Sequence, residues 1–403
     1  MMVGTRLRQA RILAGLTQEQ VVARLGEMGI TLTKAGLSKY ERGGSTPKPS
    51  LLIRLGKTLG VRGEFFLAEP SAQIEWLAFR KLARMPKRRE TQIRTMAHEQ
   101  VEGEIWLREL LYPADAPNIP REIEVRTHEQ AEETAKLIRQ RWGLHESPIE
   151  SVTQAFEDQG GVILECEDVA GEFHGLSGWA NARYPVAVVS SSAPPDRRRF
   201  NLAHEIGHLV MICPGVDERQ QESFAHRFAA AFIVPPAVAR RELGSRRRAV
   251  GFEELVALKQ KHGLSVQAWI RRAFDLEIIN QGTLLRMQRE IGRRNWRRNE
   301  PGEYPGHECP TKLKQMTMRA LSEGLIPETR ARELCPGVFE DISSSKPREE
   351  TALKTTARLL MRLPKDQRDC ILRQAAAALK DAYREDEDLR GFEALNDTED
   401  WES

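Results

Sequence analysis

The chain is poor in cysteine and aromatic residues and has no long apolar run. Its 403 residues hold five Cys and 6% aromatic side chains. Cys166, Cys213, Cys309, Cys335 and Cys370 are scattered, odd in number and form no CxxC pair. That excludes neither function nor fold, but it argues against a disulfide framework and against a cysteine-based zinc site. No stretch approaches the roughly 18 apolar residues that mark a membrane span. The opening MMVGTRLRQAR has no apolar core of a signal peptide. The expectation is a cytoplasmic protein with no membrane partner. Strong overall charge is missing too: 61 Lys and Arg stand against 58 Asp and Glu, a net charge of +3. Any basic or acidic surface that serves a partner must therefore be local. The length leaves room for about two to three domains.

What is present is a motif. His204-Glu205-Ile206-Gly207-His208 lies within RRRFNLAHEIGHLVM. Helix positions i and i+4 share a face. Two imidazoles there can hold one Zn²⁺ at roughly 2.0–2.1 Å. Glu205, directly after the first His, can take a proton from a metal-activated water. Phe200, Leu202, Ala203, Ile206, Leu209, Val210 and Met211 recur at helical spacing, which predicts a buried helix rather than two His on a solvated one. A catalytic zinc needs three protein ligands and one open position. Downstream, QQESFAHRFAAAFIVPP (220–236) carries Phe224, Ala225, Phe228, Ala229, Phe232 and Ile233 at helical steps, and Pro235-Pro236 stops the run. Glu222 on that helix is the expected third ligand, reached after a turn containing Pro214-Gly215. Asp217 and Glu218 compete for the role, and Cys213 is a weaker alternative.

A second pattern opens the chain. TRLRQARILAGLTQEQVVARLGEMGITLTKAGLSKYERG reads as three short helices, and PKPSLLIRLGKTLGV as a fourth. Thr17 is the expected N-cap of the second, with Gln20 completing a capping box. Gly43 is expected to end the third. This helix-turn-helix pattern resembles the XRE (lambda-repressor-like) family through LTQEQVVARLG, LSKYERG and the P-x-x-x-L-x-x-L run that follows. Residues 1–60 hold ten Lys or Arg and three Glu, a net charge of +7, the footprint of phosphate binding. In such domains the third helix enters the major groove of double-stranded DNA. The expected contacts are Thr33, Lys34, Ala35, Gly36, Ser38 and Lys39, with Gln18 reaching a phosphate.

Between the motifs, apolar residues recur from Ile74 to Leu111 at three- and four-residue steps, interrupted by Lys87-Arg88-Arg89. They predict a helical bridge that serves as a scaffold or, since helix-turn-helix proteins often bind paired half-sites, as a homodimer interface. YPADAPNIP (112–120) breaks it. FHGLSGWANARYPVAVVSSS reads as two strands. The second, Val186 to Ser190, precedes the metal helix and is expected to offer an exposed edge to an extended substrate. Tyr184 and His174 on these strands are candidates to stabilise an oxyanion, Tyr184 as a catalytic residue.

YPVAVVSSS, RRRFNLAHEIGHLVM, ESFAHRFAAAFIVP and LVALKQKHGLSVQAWIRRAFDLEII together resemble the ImmA/IrrE-type metallopeptidases. The resemblance implies a gluzincin-like α+β fold, zinc on His204, His208 and Glu222, and Glu205 as general base. It also implies a selective endopeptidase whose substrate is a repressor-type protein. The family often has Asn or Asp where this chain has His226, which bears on how the ligands are oriented. The fold class expected is α+β and mostly helical. A helix-turn-helix domain (1–70) and a helical bridge (71–120) precede a peptidase domain with a small β-sheet (121–280), an accessory helical region (281–345) and a C-terminal helix with an acidic tail (346–403). The last 23 residues hold ten acids and two Arg. They loosely resemble antitoxin C-termini, which would bind a toxin or another basic protein. A non-enzymatic repressor braced by a structural zinc is the rival reading.

Overall fold

The second and third helices begin where a threonine side chain satisfies an unpaired backbone N–H group. The computed structural model describes residues 2–337 and 339, apart from 62, 67–71, 82–85, 169–172 and 298. It opens with α1 (Met2–Leu13), α2 (Gln18–Glu27), α3 (Lys34–Glu41) and α4 (Pro49–Leu59). Thr17 caps α2 through a complete capping box with Gln20, and Thr33 caps α3 by accepting from the Gly36 N–H. Gly43, just past α3, sits at φ 73°, a left-handed conformation that glycine enters without a Cβ penalty. Leu7, Val21, Leu25, Leu37 and Leu55 are fully buried in the core of this four-helix segment.

Next come β1 (Ile74–Lys81), α5 (Lys87–Leu111), the short β2 (Ile123–Glu124), α6 (His128–Arg141) and α7 (Val152–Asp158). They are followed by β3 (Val162–Cys166), β4 (Phe173–Ala180), β5 (Tyr184–Ser190), α8 (Pro195–Val210) and β6 (Met211–Ile212). The remaining helices are α9 (Glu218–Ile233), α10 (Pro236–Leu243), α11 (Phe252–His262), α12 (Val266–Asp275), α13 (Gln281–Arg293), α14 (Lys312–Ser322) and α15 (Glu328–Leu334). The main sheet has the order β1-β4-β5-β3, with β3 parallel to β5 and the other pairs antiparallel. Alternation along β5 divides its side chains. Ala187 and Val189 join the core that holds Leu202, Ala203 and Ile206 of α8, while Tyr184, Val186 and Val188 join the core under α5.

Three expectations are corrected. Ile74–Lys81 is a strand, not the start of a helical bridge. Its residues alternate, with Ile74 and Trp76 half-buried and Glu75 and Leu77 exposed, and β4 offers a row of backbone groups that only another strand can pair. Lys87-Arg88-Arg89 does not interrupt a helix but begins one. β5 is not an edge strand, because β4 and β3 flank it.

The expected boundaries at 120 and 280 are changes of element rather than breaks in packing. Leu284, Met287 and Ile291 of α13 share the main core with α8 and α9. Met316, Ala320 and Ala331 of α14 and α15 pack with Leu107 of α5. Residues Met1–Val338 form one compact unit. The expected C-terminal helix and acidic tail (346–403) lie outside the described residues, as does the toxin-like contact assigned to them.

Buried ion pairs fix how the helices cross. Arg272 is fully buried, and its two Nη atoms reach the Glu132 carboxylate at 2.7 and 3.0 Å, while Arg227 Nη1 reaches it at 2.9 Å. One carboxylate thus joins α6, α9 and α12. Burial pushes the Glu132 carboxyl up, but the two guanidiniums outweigh it and hold it below its ordinary value of 4.5. Breaking such a pair from one side strands the buried partner charges. Glu132→Ala is expected to cost about 3–5 kcal/mol in urea unfolding. Because the folded-state pKa is depressed, this stabilisation is complete above the ordinary Glu range and fades as pH falls through the folded value. Parallel acid titrations of the wild type and Glu132→Ala should therefore converge at low pH.

Candidate metal centre and nucleic-acid face

α8 starts at Pro195, whose missing N–H costs nothing at a helix start. Asp196 in its first turn is buried against Lys259 of α11 at 3.2 Å. Apolar contacts along the helix then bury His204 and Glu205 almost completely. His204 Nε2 and His208 Nε2 face each other at 3.0 Å. Glu222 of α9 spans both, with Oε2 at 3.2 Å from His204 Nε2 and Oε1 at 3.2 Å from His208 Nε2. Ligand atoms at roughly 2.0–2.1 Å around a tetrahedral ion stand about 3.3 Å apart. This donor set therefore suits a zinc ion, both in chemistry and in spacing. Burial pushes the Glu222 carboxyl up, but hydrogen bonds and charge from the two His outweigh that and hold it far below the ordinary carboxylate range.

The competitors of Glu222 face elsewhere. Asp217 is the N-cap of α9, accepting from the Gln220 N–H at 2.8 Å. Glu218 is exposed, and Cys213 is half-buried with its thiol pushed up by burial. Among the described residues, His204, Glu222 and His226 also form a group that could hold a metal, with donor atoms all within 4.8 Å of one another. His226 lies one turn beyond Glu222, its ring 4.5 Å from that of His204 and stacked on Phe200. His208 Nε2 stands 3.0 Å from His204 Nε2 and 3.2 Å from Glu222 Oε1, a spacing that suits a shared ion, and His226 is its competitor.

Two glycines let the elements of the centre pack closely. A Cβ at Gly207 would stand 3.1 Å from Phe228 Cδ1, so the bare glycine lets α9 close on α8. A Cβ at Gly175 of β4 would collide with Glu205 Oε1. The carboxylate of the expected base therefore lies directly over that strand. Sequence reasoning missed Gly175. Its signal was the glycine pair in HGLSGWA, two residues without side chains in a segment that otherwise reads as a strand.

Tyr184 is corrected as a catalytic candidate. Its hydroxyl donates to Glu109 Oε1 at 3.4 Å and its ring belongs to the core under α5, on the sheet face opposite α8. Strand alternation decides this, since Ala187 three positions later faces the metal helix. His174 lies on β4 beside Gly175.

At the N-terminus, Thr33, Lys34, Ala35 and Lys39 are exposed on the first turns of α3, with Gly36 and Ser38 half-buried beside them. Lys34 pairs with Glu19 of α2 on the surface. Gln18 has an internal partner instead of a free amide: its Nε2 donates to Glu41 Oε2 at 2.8 Å, and Arg11 holds the same carboxylate at 2.6 and 2.9 Å. It braces α2 on α3 and α1.

Elemental analysis of the purified chain should find about one zinc per molecule when zinc is supplied. His204→Ala and Glu222→Ala are each expected to lose it, and Asp217→Ala to keep it. Zinc retained by Glu222→Ala would reassign the third ligand to His226.

A family model described as a helix-turn-helix matches residues 7–66, and one described as an IrrE N-terminal-like domain matches residues 156–274. No curated protein matches the chain. The second match runs from α7 to α12 and contains β4, the two His of α8 and Glu222. The chain thus carries, in that order, an XRE-type helix-turn-helix segment and a segment similar to the IrrE/ImmA-like M78 peptidases.

Proposed function

We propose that the chain is a transcriptional regulator that binds a double-stranded DNA operator through α3 and acts as a zinc-dependent endopeptidase on a selected protein. A repressor-type partner or the chain itself is the substrate class. The observation that carries this reading is the convergence of His204, His208 and Glu222 from two helices, with Glu205 seated beside them over a strand that bears no side chain at Gly175. The second observation is the +7 charge of residues 1–60 with Lys34 and Lys39 exposed on α3.

A bound zinc would supply Lewis acidity to a substrate carbonyl and to water. The remaining chemistry belongs to the chain. His204, His208 and Glu222 would hold the ion. Glu205 would take a proton from the attacking water and return it to the departing amide nitrogen. Its burial and its seat over Gly175 orient that carboxylate before substrate arrives, so little reorganisation is left to the reaction.

Glu205→Gln should keep zinc and lose about 10²–10⁴-fold in cleavage rate. The measurement is mass spectrometry of a purified helix-turn-helix repressor incubated with the zinc-loaded chain. Gly175→Ala, which displaces the carboxylate without touching a ligand, should show the same separation of metal content from activity. Undiminished cleavage by Glu205→Gln would remove Glu205 as the base, and no cleavage by the zinc-loaded wild type would leave a zinc-braced repressor. For the DNA face, Lys39→Ala should weaken binding to operator DNA and lower the slope of log K against log salt by about one. Anisotropy titrations at several salt concentrations measure both.

A further inference from the structure

The strand nearest the proposed base is already paired on its outer side. β1 runs antiparallel to β4 from Ile74↔Ala180 to Lys81↔Phe173, and Arg80 is the partner of Gly175, the glycine under Glu205. β1 also packs against α8, the helix that carries the metal ligands. An extended backbone of this chain therefore passes one strand spacing, about 4.8 Å, from the strand position beneath the base. That backbone comes from outside the peptidase match, which begins at residue 156. It lies between the two matched segments, in the stretch that joins them.

The pairing is fitted rather than incidental. A Cβ at Gly178 of β4 would collide with the Glu75 carbonyl and crowd Trp76 Cα at 3.0 Å, so β4 is shaped to let β1 come close. The strand is pinned at its N-terminal end. Gln73 N–H donates to Asn181 Oδ1 at 2.8 Å, and Asn181 N–H donates back to the Gln73 carbonyl at 2.8 Å. Ala72 N–H reaches Glu102 Oε1 at 3.4 Å, and the same carboxylate binds Arg6 of α1 at 2.8 Å. Farther along, toward Gly175, the ladder weakens. Its register shifts between Trp76 and Ala78 and again between Arg80 and Lys81.

We infer that the outer edge of β4 is the peptide-binding edge of the metal site, that its ligand is an extended polypeptide held by main-chain pairing, and that β1 occupies this edge in cis. A substrate chain enters by displacing β1 from the irregular end of the ladder at Arg80 and Lys81, while the Gln73–Asn181 clasp holds the other end. The inference rests on the peptidase reading for the placing of substrate at Glu205. Main-chain pairing explains how one edge serves both ligands, because added strands are recognised first through backbone groups.

The test uses the full, zinc-loaded chain and a fluorescein-labelled peptide of sequence IEWLAFRK, a copy of Ile74–Lys81. Phe79→Pro removes an N–H from β1 and fits a strand poorly, so it loosens the occupant while leaving the sequences of β4 and α8 unchanged. The variant is expected to bind the peptide at least about ten-fold more tightly than wild type, a free-energy difference of about 1.4 kcal/mol. Equal affinities, or no binding by either protein at millimolar peptide, would overturn the inference. Should Phe79→Pro not fold, hydrogen exchange on the wild-type chain decides. Saturating peptide should deprotect the amides of 74–81 while those of β3 and β5 stay protected, and bound peptide with β1 still protected would overturn it. Neither readout needs catalysis. Peptide exchange at an edge that never cleaves would fail the peptidase reading alone, and cleavage with β1 still in place would fail this inference alone.

Discussion

The close approach of α8 and α9 at Gly207 is the constraint on which the metal centre depends. A Cβ at 207 would stand 3.1 Å from Phe228 Cδ1, so α9 or that ring would have to give way. With no side chain at 207, Phe228 lies against the helix backbone and α9 comes near enough for one carboxylate to span His204 and His208. The apolar side of this contact, Ile206, Leu209, Phe228 and Phe232, is buried in the main core, so the geometry is backed by packing rather than by the polar groups themselves. The orientation of α9 is secured from its other flank, where Arg227 shares Glu132 with Arg272. A preorganised donor set is what a metal site needs if binding is not to cost the ordering of three side chains at once.

Carboxylates placed at helix N-termini from distant parts of the chain do much of the remaining assembly. Glu308 accepts from the N–H groups of Val152 and Thr153 at the start of α7. Glu300 does the same for Val266 and Gln267 at α12, and Glu157 for Thr311 and Lys312 at α14. Each pairs a negative charge with the positive end of a helix. Glu300 and Glu308 lie in the polar, Gly- and Pro-containing stretch after α13, which composition alone marks as a loose connector. Arg199 of α8 reaches the Ile149 carbonyl at 2.7 Å and binds Tyr304 of that same stretch, so the metal helix is itself tied to it. Removing this stretch would therefore free polar groups inside the peptidase body rather than trim a tail.

The helix-turn-helix segment is joined through α5 to the half that holds the candidate metal centre. Arg6 of α1 pairs with Glu102 in a buried contact, and Arg88 donates to the Gly15 carbonyl beyond α1. Glu102 also touches the backbone that leads into β1. One carboxylate thus stands between the helix-turn-helix and the strand beside Glu205.

Much of the candidate site was legible because its signals are local. The i and i+4 spacing of His204 and His208, the glycine between them, and the caps at Thr17 and Thr33 are written within one or two helical turns. Glu222 was nearly as plain, since a second apolar helix follows a short turn. By itself the sequence determined these elements, the local positive charge of residues 1–60, and the order of the two motifs. Tertiary structure alone decided the rest, because sheet pairing is non-local. It placed Ile74–Lys81 in a strand although its apolar residues also suit a helix, since β4 offered a partner far away in sequence, as the Ile74↔Ala180 pair shows. It turned Tyr184 away from the metal helix and buried β5 between two neighbours, because the face and rank of a strand depend on which chains flank it. It also seated Glu205 over Gly175, a contact between two segments whose meeting neither records on its own.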